Sequence, residues 1–357
     1  MTTNDLPGLG WNADLIQAFA GHARKGLVPG RVSLEHNHVY RVLTADGEWL
    51  AETAGRVKYE ATDRRELPAV GDWVAVRPDE LHGRRLIRAI LPRGRSFSRK
   101  SAGRQTREQV LAANVDTAFL VVGLDAPPKP RSLERYLILA RQSGANAVIV
   151  LNKADTCDTV DAARRRAAAL AGSTPVETVS ARTGEGLDRL RAWLRFGQTI
   201  VLLGHSGAGK STLVNSLLGS ERLATADVRA WDARGRHTSV HRQLLVVPSG
   251  GVLIDTPGLR ELGLWDADDA VADTFADVAA LAAECRFRDC RHDQEPGCAV
   301  RLAVEQGTFD ASRLEGYLRL ARERALLTDR QAELERAPQG HPKASERPIR
   351  RARRTGR

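Results

Sequence analysis

The chain has 357 residues, 42% of them hydrophobic, which is enough apolar sequence for two or three folded domains. No stretch approaches the roughly twenty apolar residues of a membrane-spanning helix, and the N-terminus lacks the basic and apolar segments of a secretory signal. We therefore expect a cytoplasmic protein without a membrane partner, and its net charge of +10 is compatible with a polyanionic one.

The N-terminal part, residues 1–97, predicts a leading helix and a small β-barrel. Apolar residues in Asp14–Ala23 recur at helical spacing. Alternating apolar and polar residues then predict short strands between Gly, Pro and Asp turns, among them Val39–Leu43, Trp73–Arg77 and Arg85–Leu91. Such strands suit an all-β Greek-key barrel, and the OB-fold is a common nucleic-acid-binding barrel of this size.

A basic segment follows the predicted barrel. Arg93–Arg107 holds six basic residues, no acidic residue and one aromatic residue, Phe97. Basic residues interleaved with an aromatic side chain are compatible with contact to single-stranded RNA. A solvated interdomain linker explains the composition nearly as well, and both interpretations stay open.

Residues 98–265 predict an α/β domain. Strands alternate with helices, which indicates a parallel sheet with helices on both faces. The predicted strands are Thr117–Val122, Ala147–Leu151, Val176–Val179 and Thr199–Leu203, and the predicted helices are Ser132–Ser143, Asp161–Ala171, Gly186–Leu194 and Lys210–Leu218. The segments Leu244–Val247 and Val252–Ile254 predict a hairpin.

The most specific motif is a phosphate-binding P-loop. It has the sequence GHSGAGKS and lies between an apolar strand and a helix, the context that this motif requires. We expect its backbone N–H groups to bind phosphate, Lys210 to reach the β- and γ-phosphates, and Ser211 to bind Mg²⁺. The predicted nucleotide-binding residues are Gly204, His205, Ser206, Gly207, Ala208, Gly209, Lys210, Ser211 and Thr212.

A second motif, Asn152-Lys153-Ala154-Asp155, selects the base. The Asp155 carboxylate can accept the guanine N1–H and amino group, whereas adenine would leave it unpaired, a penalty on the order of ten-thousand-fold. We expect Asn152 to tie this loop to the P-loop, Lys153 to pack along the base, and the backbone of Ser180-Ala181 to contact guanine O6. The pattern predicts GTP, and its product GDP, as the ligand.

A third motif, Asp255-Thr256-Pro257-Gly258, follows the last predicted strand. Asp255 is expected to hold Mg²⁺ through water, together with Ser211 and Thr238, and the Gly258 N–H to sense the γ-phosphate. The base-selecting motif precedes the P-loop, the reverse of Ras-like chains, so the domain is circularly permuted. Closely spaced termini tolerate such a permutation.

The pattern Cys285-x4-Cys290-x-His292-x5-Cys298 indicates a metal site in a helical domain at residues 266–339. Three thiolates and one imidazole complete a closed, structural zinc site, with iron as a minor alternative. Cys157 stands apart, and we interpret it as a small apolar residue rather than a reactive thiol.

Residues 340–357 form a basic tail, with seven basic residues and one acidic residue. Such a segment cannot bury a core and is expected to be disordered. A solubilising end and a clamp for a phosphate backbone are both compatible with this composition.

The permuted motif order and the segment FRDCRHDQEPGCAV resemble the RsgA/YjeQ family of GTPases that depend on the small ribosomal subunit. Further segments that carry the resemblance are Gln109–Val122, Gly235–Arg242 and Leu253–Trp265. The resemblance implies a multi-domain α/β protein with an OB domain, a permuted GTPase domain and a zinc-binding helical domain. It also implies a monomeric factor in late maturation of the small ribosomal subunit. This factor would bind the rRNA of the subunit, and the subunit would stimulate its GTP hydrolysis.

The resemblance also assigns a catalytic role. Leu259 stands where Ras-like enzymes place a glutamine, so we expect slow intrinsic hydrolysis. The family uses a switch-I histidine to orient water, which makes His237 the candidate here, with Lys210 and Thr238 as the other catalytic residues. The family commonly has a threonine run where this chain has Ser239 after Thr238. A His237 that merely packs or contacts RNA is the alternative.

Two other functions are compatible with parts of the sequence. An RNA-binding scaffold could use GTP only as an ordering ligand, although the complete set of residues around Mg²⁺ argues against it. A P-loop kinase that phosphorylates a metabolite is disfavoured by the base-selecting and Asp255 motifs. Phosphate release with and without small subunits separates the first of these from a GTPase.

Overall fold

The structure is a computed structural model that describes residues 5–61, 63–79, 83–101, 107–125, 130–220, 242–255, 271 and 274–336. Its first helix, α1 (Ala13–Ala23), begins one residue before the predicted start. The side chain of Asn12 caps it, because Asn12 Oδ1 accepts a hydrogen bond from the Leu15 amide at 3.0 Å. The apolar side of α1 buries Leu15 and Phe19 in the core.

Five strands then close a barrel. β1 pairs with both β2 and β4, and β3 pairs in parallel with β5, so the order β1-β2-β3-β5-β4 returns to β1. This is the five-stranded Greek-key barrel of the OB-fold. The elements are β1 (Val28–His36), β2 (Val39–Thr44), β3 (Gly47–Thr53), α2 (Gly55–Glu60), β4 (Trp73–Val76) and β5 (Arg85–Ile90).

The basic segment after the barrel contributes to a hairpin, so its interpretation as a linker is wrong. Strand β6 (Ser96–Ser101) pairs antiparallel with β7 (Arg107–Ala113). Phe97 is 2% exposed, which excludes the proposed stacking on RNA. Arg93 is also bound internally, since its Nε and Nη2 donate to the two carboxylate oxygens of Asp72 at 2.7 and 2.6 Å.

The α/β part follows, with bounds close to those predicted. Its strands run in the order β10-β9-β8-β11-β13, all parallel, and β12 pairs antiparallel with β13 as the predicted hairpin. The elements are β8 (Thr117–Gly123), α3 (Pro130–Gln142), β9 (Asn146–Asn152), α4 (Val160–Ala171), β10 (Val176–Thr178), α5 (Leu187–Arg191), β11 (Thr199–Leu203), α6 (Lys210–Leu218), β12 (Gln243–Val246) and β13 (Val252–Asp255).

The helices cover both faces of this sheet, as predicted. Successive side chains of β8 point to opposite faces. Leu120 and Val122 share one core with α3 and α4, whereas Phe119 and Val121 share another with α5 and α6. Strand β12 also meets β1 of the barrel, so the described strands of both parts join in one sheet.

The C-terminal part is helical, as predicted. The helices among its described residues are α7 (Ala276–Ala282), α8 (Ala299–Glu305) and α9 (Ala311–Arg336). The Cys/His segment lies between α7 and α8. The predicted basic tail lies outside the described residues. Within the part of the chain that the structure describes, no helix combines the length and the apolar character needed to cross a bilayer.

Candidate functional site

The site residues lie at one edge of the parallel sheet. Strands β9, β8, β11 and β13 lie side by side in this order and are all parallel, so their carboxyl ends meet at the same edge. Asn152 ends β9, Gly204 follows β11, and Asp255 ends β13. The fold therefore brings the three sequence motifs together where open α/β sheets bind their ligands.

The loop between β11 and α6 has the geometry of a P-loop. Lys210 Nζ donates hydrogen bonds to the carbonyls of Gly204 and His205, both at 2.7 Å, which holds the ammonium inside the loop. Gly209 has a φ of +86°, and a Cβ there would lie 2.3 Å from Asn152 Nδ2. Only glycine tolerates this combination of φ and close approach.

The side chain of Asn152 joins three loops. Its Nδ2 donates to the carbonyl of Ala208 in the P-loop at 3.0 Å. Its Oδ1 accepts from the backbone N–H of Ala181 at 3.0 Å. The predicted tie between Asn152 and the P-loop is thus present, and the side chain is 1% exposed. The second hydrogen bond extends the tie to the loop that follows β10.

Asp155 faces the same loop. Its Oδ1 accepts from the Ser180 hydroxyl at 2.6 Å. Its Oδ2 lies 2.6 Å from Arg182 Nη2 as an ion pair, yet it has no aligned hydrogen-bond partner among the described residues. The Ser180 hydrogen bond holds the pKa of Asp155 below its usual value, against an opposing effect of burial and with support from Arg182. The carboxylate is therefore ionised at neutral pH, and the partner of its Oδ2, Arg182, has a side chain that is 75% exposed.

Three contacts of this site were not predicted from the sequence. Lys153 has a left-handed backbone (φ +64°), and its Nζ lies 2.6 Å from Asp125 Oδ2 in an ion pair. Asp125 follows β8, the strand between β9 and β11. The Ser180 hydroxyl and Arg182 were also missed, because the sequence indicated only the backbone of Ser180-Ala181. An acidic residue just beyond the carboxyl end of β8 was the available signal for Asp125.

The remaining predicted residues are only partly described. Ser211 and Thr212 lie in the first turn of α6, and Ala154 begins a single 3-10 turn that includes Asp155. Asp255 is half-buried at the end of β13. His237, Thr238 and Gly258 lie outside the described residues.

Four predicted metal ligands converge in the C-terminal part. The ligand atoms of Cys285, Cys290, His292 and Cys298 all lie within 4.8 Å of one another. Cys285 Sγ is 3.9 Å from Cys298 Sγ, and His292 Nδ1 is 3.5 and 3.4 Å from those two sulfurs. Burial lowers the pKa of His292, against an opposing effect of Glu295, which favours the neutral imidazole that binds metal. The cluster could hold a metal ion.

The fold and site define a class: circularly permuted P-loop GTPases, in which the base-side loop precedes the P-loop. A sequence model described as RsgA GTPase matches residues 90–265. A relative from Opitutus terrae, named small ribosomal subunit biogenesis GTPase RsgA, is 50% identical over 329 residues, 90% of each chain. A relative of the same name from Syntrophotalea carbinolica is 45% identical over 91% of each chain. This chain belongs to the RsgA GTPase family and is a GTP-hydrolysing enzyme.

Solved structures agree with this assignment. The crystal structure of YjeQ from Thermotoga maritima is 28% identical and covers 83% of this chain and 98% of its own, with a TM-score of 0.60. The structure of YloQ, described as a circularly permuted GTPase, is 24% identical with a TM-score of 0.55 and supports the fold alone. The expected barrel, permuted nucleotide domain and helical part with a Cys/His cluster are confirmed.

Proposed function

We propose that this GTPase binds GTP between the P-loop and the loops after β9 and β10, with Asp155 as the residue that selects guanine. The hydrogen bonds of Asn152, which join the P-loop to the loop that Asp155 faces, are the observation that supports this proposal most strongly. Guanine offers an N1–H and an amino group to one carboxylate, and adenine offers neither. In this proposal Lys153, held by Asp125, packs along the base, and the loop of Ser180-Ala181, which Asn152 joins to the P-loop, lies at guanine O6.

The P-loop and Asp255 bind the phosphates and a magnesium ion in this proposal. A magnesium ion at this position would supply positive charge to neutralise the phosphates during phosphoryl transfer. Ser211, Thr238 and Asp255 are the residues that would hold it, and their hydroxyl and carboxylate oxygens suit a hard cation. Lys210 contributes positive charge from inside the loop. Gly258 would contact the γ-phosphate through its N–H.

We propose His237 as the residue that orients the attacking water. Leu259 lacks a hydrogen-bonding group, so another side chain has to perform this task. In His237→Ala, turnover stimulated by the small ribosomal subunit should fall while GTP binding stays unchanged. Equal stimulated turnover in both proteins would remove His237 from this role.

The proposed cellular role is biogenesis of the small ribosomal subunit. The relatives carry that role in their names and are similar over about nine-tenths of this chain. An OB barrel and a net charge of +10 suit contact with rRNA. In this proposal the protein works in the cytoplasm as a monomer that binds GTP or GDP. The division at residues 1–97, 98–265 and 266–339, with a basic tail at 340–357, remains a proposal as well.

We propose zinc as the ion of the Cys/His cluster. In tetrahedral coordination with Zn–S bonds of about 2.3 Å, two sulfurs lie about 3.8 Å apart. The distance from Cys285 Sγ to Cys298 Sγ is 3.9 Å, close to that value. Four protein ligands leave no open position, so the ion would be structural.

Phosphate release in the presence of purified ribosomal subunits tests the proposed function. We expect small subunits to stimulate GTP hydrolysis, because a partner that completes such a site raises turnover by about 10³–10⁵-fold. Large subunits should have little effect, and Lys210→Ala should show no stimulation. If the protein co-sediments with small subunits but GTP turnover stays at its basal rate, it is an RNA-binding scaffold and the proposal is wrong.

A further inference from the structure

Helix α3 (Pro130–Gln142) lies between two layers of the molecule. Of its side chains from Ser132 to Gln142, only that of Gln142 is exposed. A helix with one side in solvent would expose a side chain about every 3.6 residues. On the side of α3 that faces away from the sheet, the helix shares a core with residues of the C-terminal helices, including Val278 and Leu314.

A buried ion pair attaches α3 to helix α9. Glu134 is 2% exposed, and its Oε1 accepts a hydrogen bond from Arg313 Nη1 at 2.7 Å. The same guanidinium donates to the Asp277 carboxylate and to the carbonyl of Thr274 at 2.6 Å. A buried carboxylate needs such a partner, because its desolvation is otherwise uncompensated. Arg313 thus joins α3 to both α7 and α9.

A glycine brings α9 close to the same carboxylate. A Cβ on Gly316 would lie 2.8 Å from Glu134 Oε2, which is closer than real contacts allow. The Glu134 carboxylate therefore lies directly against the backbone of α9, with no side chain of residue 316 between them. Because close-packed interiors transmit strain, a shift of α3 at this contact is expected to affect α9.

The other side of α3 contacts the P-loop. The ring of Tyr136 lies 6.3 Å from that of His205, at an interplanar angle of 72°. This is an edge-to-face contact. His205 is the P-loop residue whose carbonyl accepts a hydrogen bond from Lys210. Glu134 and Tyr136 are two residues apart, which places them on different sides of the helix.

We propose that α3 couples the P-loop to the C-terminal helices, with Glu134 as a positioning residue that acts through Tyr136 and His205. The proposal rests on the binding of GTP at the P-loop. This coupling would be a non-covalent route from the nucleotide to the Cys/His cluster. It would act in addition to the covalent connection that the chain itself makes between Asp255 and the C-terminal part. Tyr317 of α9 continues the route, since its ring lies 6.0 Å from that of the metal ligand His292.

Amide hydrogen exchange on the full-length protein tests this coupling, with GDP, a non-hydrolysable GTP analogue or no nucleotide. Nucleotide should protect the P-loop, and it should also change exchange in the first turns of α9 by roughly fivefold or more, the lower end of common coupling energies. If the P-loop is not protected, the proposed function fails. If the P-loop is protected and α9 does not respond, the coupling alone is wrong.

Two variants test the route. Tyr136→Leu removes the contact to His205 and keeps an apolar side chain, and Glu134→Gln removes the charge that Arg313 binds. Both should keep nucleotide protection at the P-loop and lose the response of α9. Asp188→Asn is the matched control, because it removes the carboxylate of an exposed ion pair in the same part of the chain. An α9 response that persists in both variants would overturn the proposal.

In Glu134→Gln, Arg313 keeps its contacts with Asp277 but loses those with the Glu134 charge, which would destabilise the fold. The double variant Glu134→Gln/Arg313→Met removes both charges and is the replacement to use in that case. Tyr136→Leu leaves the ion pair intact and tests the same route independently. Loss of the α9 response in Tyr136→Leu but not in the double variant would also contradict a role for Glu134.

Discussion

At the scale of residues, Asn152 holds the loops of the nucleotide site in their relative positions. Its amide connects loops from three different parts of the chain, with one hydrogen bond to Ala208 and one from Ala181. Both partners are backbone groups of the phosphate-side and base-side loops. A single buried side chain thus sets the spacing between the two halves of the pocket, and Gly209 gives it room.

The variant Asn152→Ala should lose nucleotide binding and stability together. Each backbone group left without a partner in a buried position costs about 1–3 kcal/mol. Urea unfolding and titration with a fluorescent GDP analogue measure the two effects. Asn146→Ala is the control, because Asn146 lies on the same strand and is exposed. Equal stability of the two variants would contradict the role of Asn152.

The variant Asp155→Asn should exchange the base preference of the site. An amide presents an N–H to the guanine N1–H, so GTP binding should collapse while xanthosine triphosphate binds better. Because the pKa of Asp155 is lowered, the carboxylate stays ionised until the pH falls below the usual pKa of an aspartate. Wild-type GTP affinity should therefore be constant through neutral pH and weaken only in acid.

Displacement titrations with both nucleotides measure this exchange. Asp158→Asn is a suitable control, since Asp158 is exposed three residues away. Unchanged GTP affinity in Asp155→Asn would remove Asp155 from the base site.

Individual motif residues could be predicted because their spacing has a chemical reason. The P-loop, Asn152 and the Cys/His cluster were found in this way. Arg182 could not be predicted, because its partner, Asp155, is reached only through the folded loops. A single charged residue in a loop carries no periodic signal in the sequence.

At the scale of elements, the β6–β7 hairpin is the main difference from the prediction. Basic composition indicated a linker, but Phe97 packs with Leu111 and Trp73 in the core that continues into the α/β part. The basic composition hid a strand in which Phe97 is buried. The basic residues of a strand can all lie on its exposed face. Whether the strand forms depends on the apolar residues that it buries.

The variant Phe97→Ala should be strongly destabilised. Truncation of a buried phenylalanine costs about 3–5 kcal/mol, through lost burial and the cavity that remains. Phe287→Ala makes the same change at a side chain that is 41% exposed and should cost much less. Thermal or urea unfolding of the two variants gives the comparison. Equal destabilisation would mean that the β6–β7 hairpin does not hold Phe97 in the core.

At the scale of the whole molecule, the permuted order leaves the sheet intact. The strands that carry the base-side loop come first in the chain, yet their parallel pairing with β11 and β13 builds one edge. The sequence predicted this because each motif follows its own strand. It could not predict the join between β12 and the barrel strand β1, which the described residues show at the pair Leu34 and Gln243.

Metal removal should affect the C-terminal part specifically. Elemental analysis should find one zinc per chain, and Cys290→Ser should lose it, because the site has only four ligands. The segment between α7 and α8 should then become sensitive to protease. Cys157→Ser is the control, since Cys157 lies outside the cluster, and it should keep the metal. Iron in place of zinc, or full metal content in Cys290→Ser, would contradict the assignment.

The central claim is that loops in inverted order along the chain form one guanine-specific pocket. Competition between GTP and ATP for the purified protein, in the presence of magnesium, tests it most directly. We predict that GTP binds tighter than ATP by about 10⁴-fold, as expected of a site with a buried acceptor that only one base can satisfy. Equal binding of the two nucleotides, or binding of neither, would contradict the account.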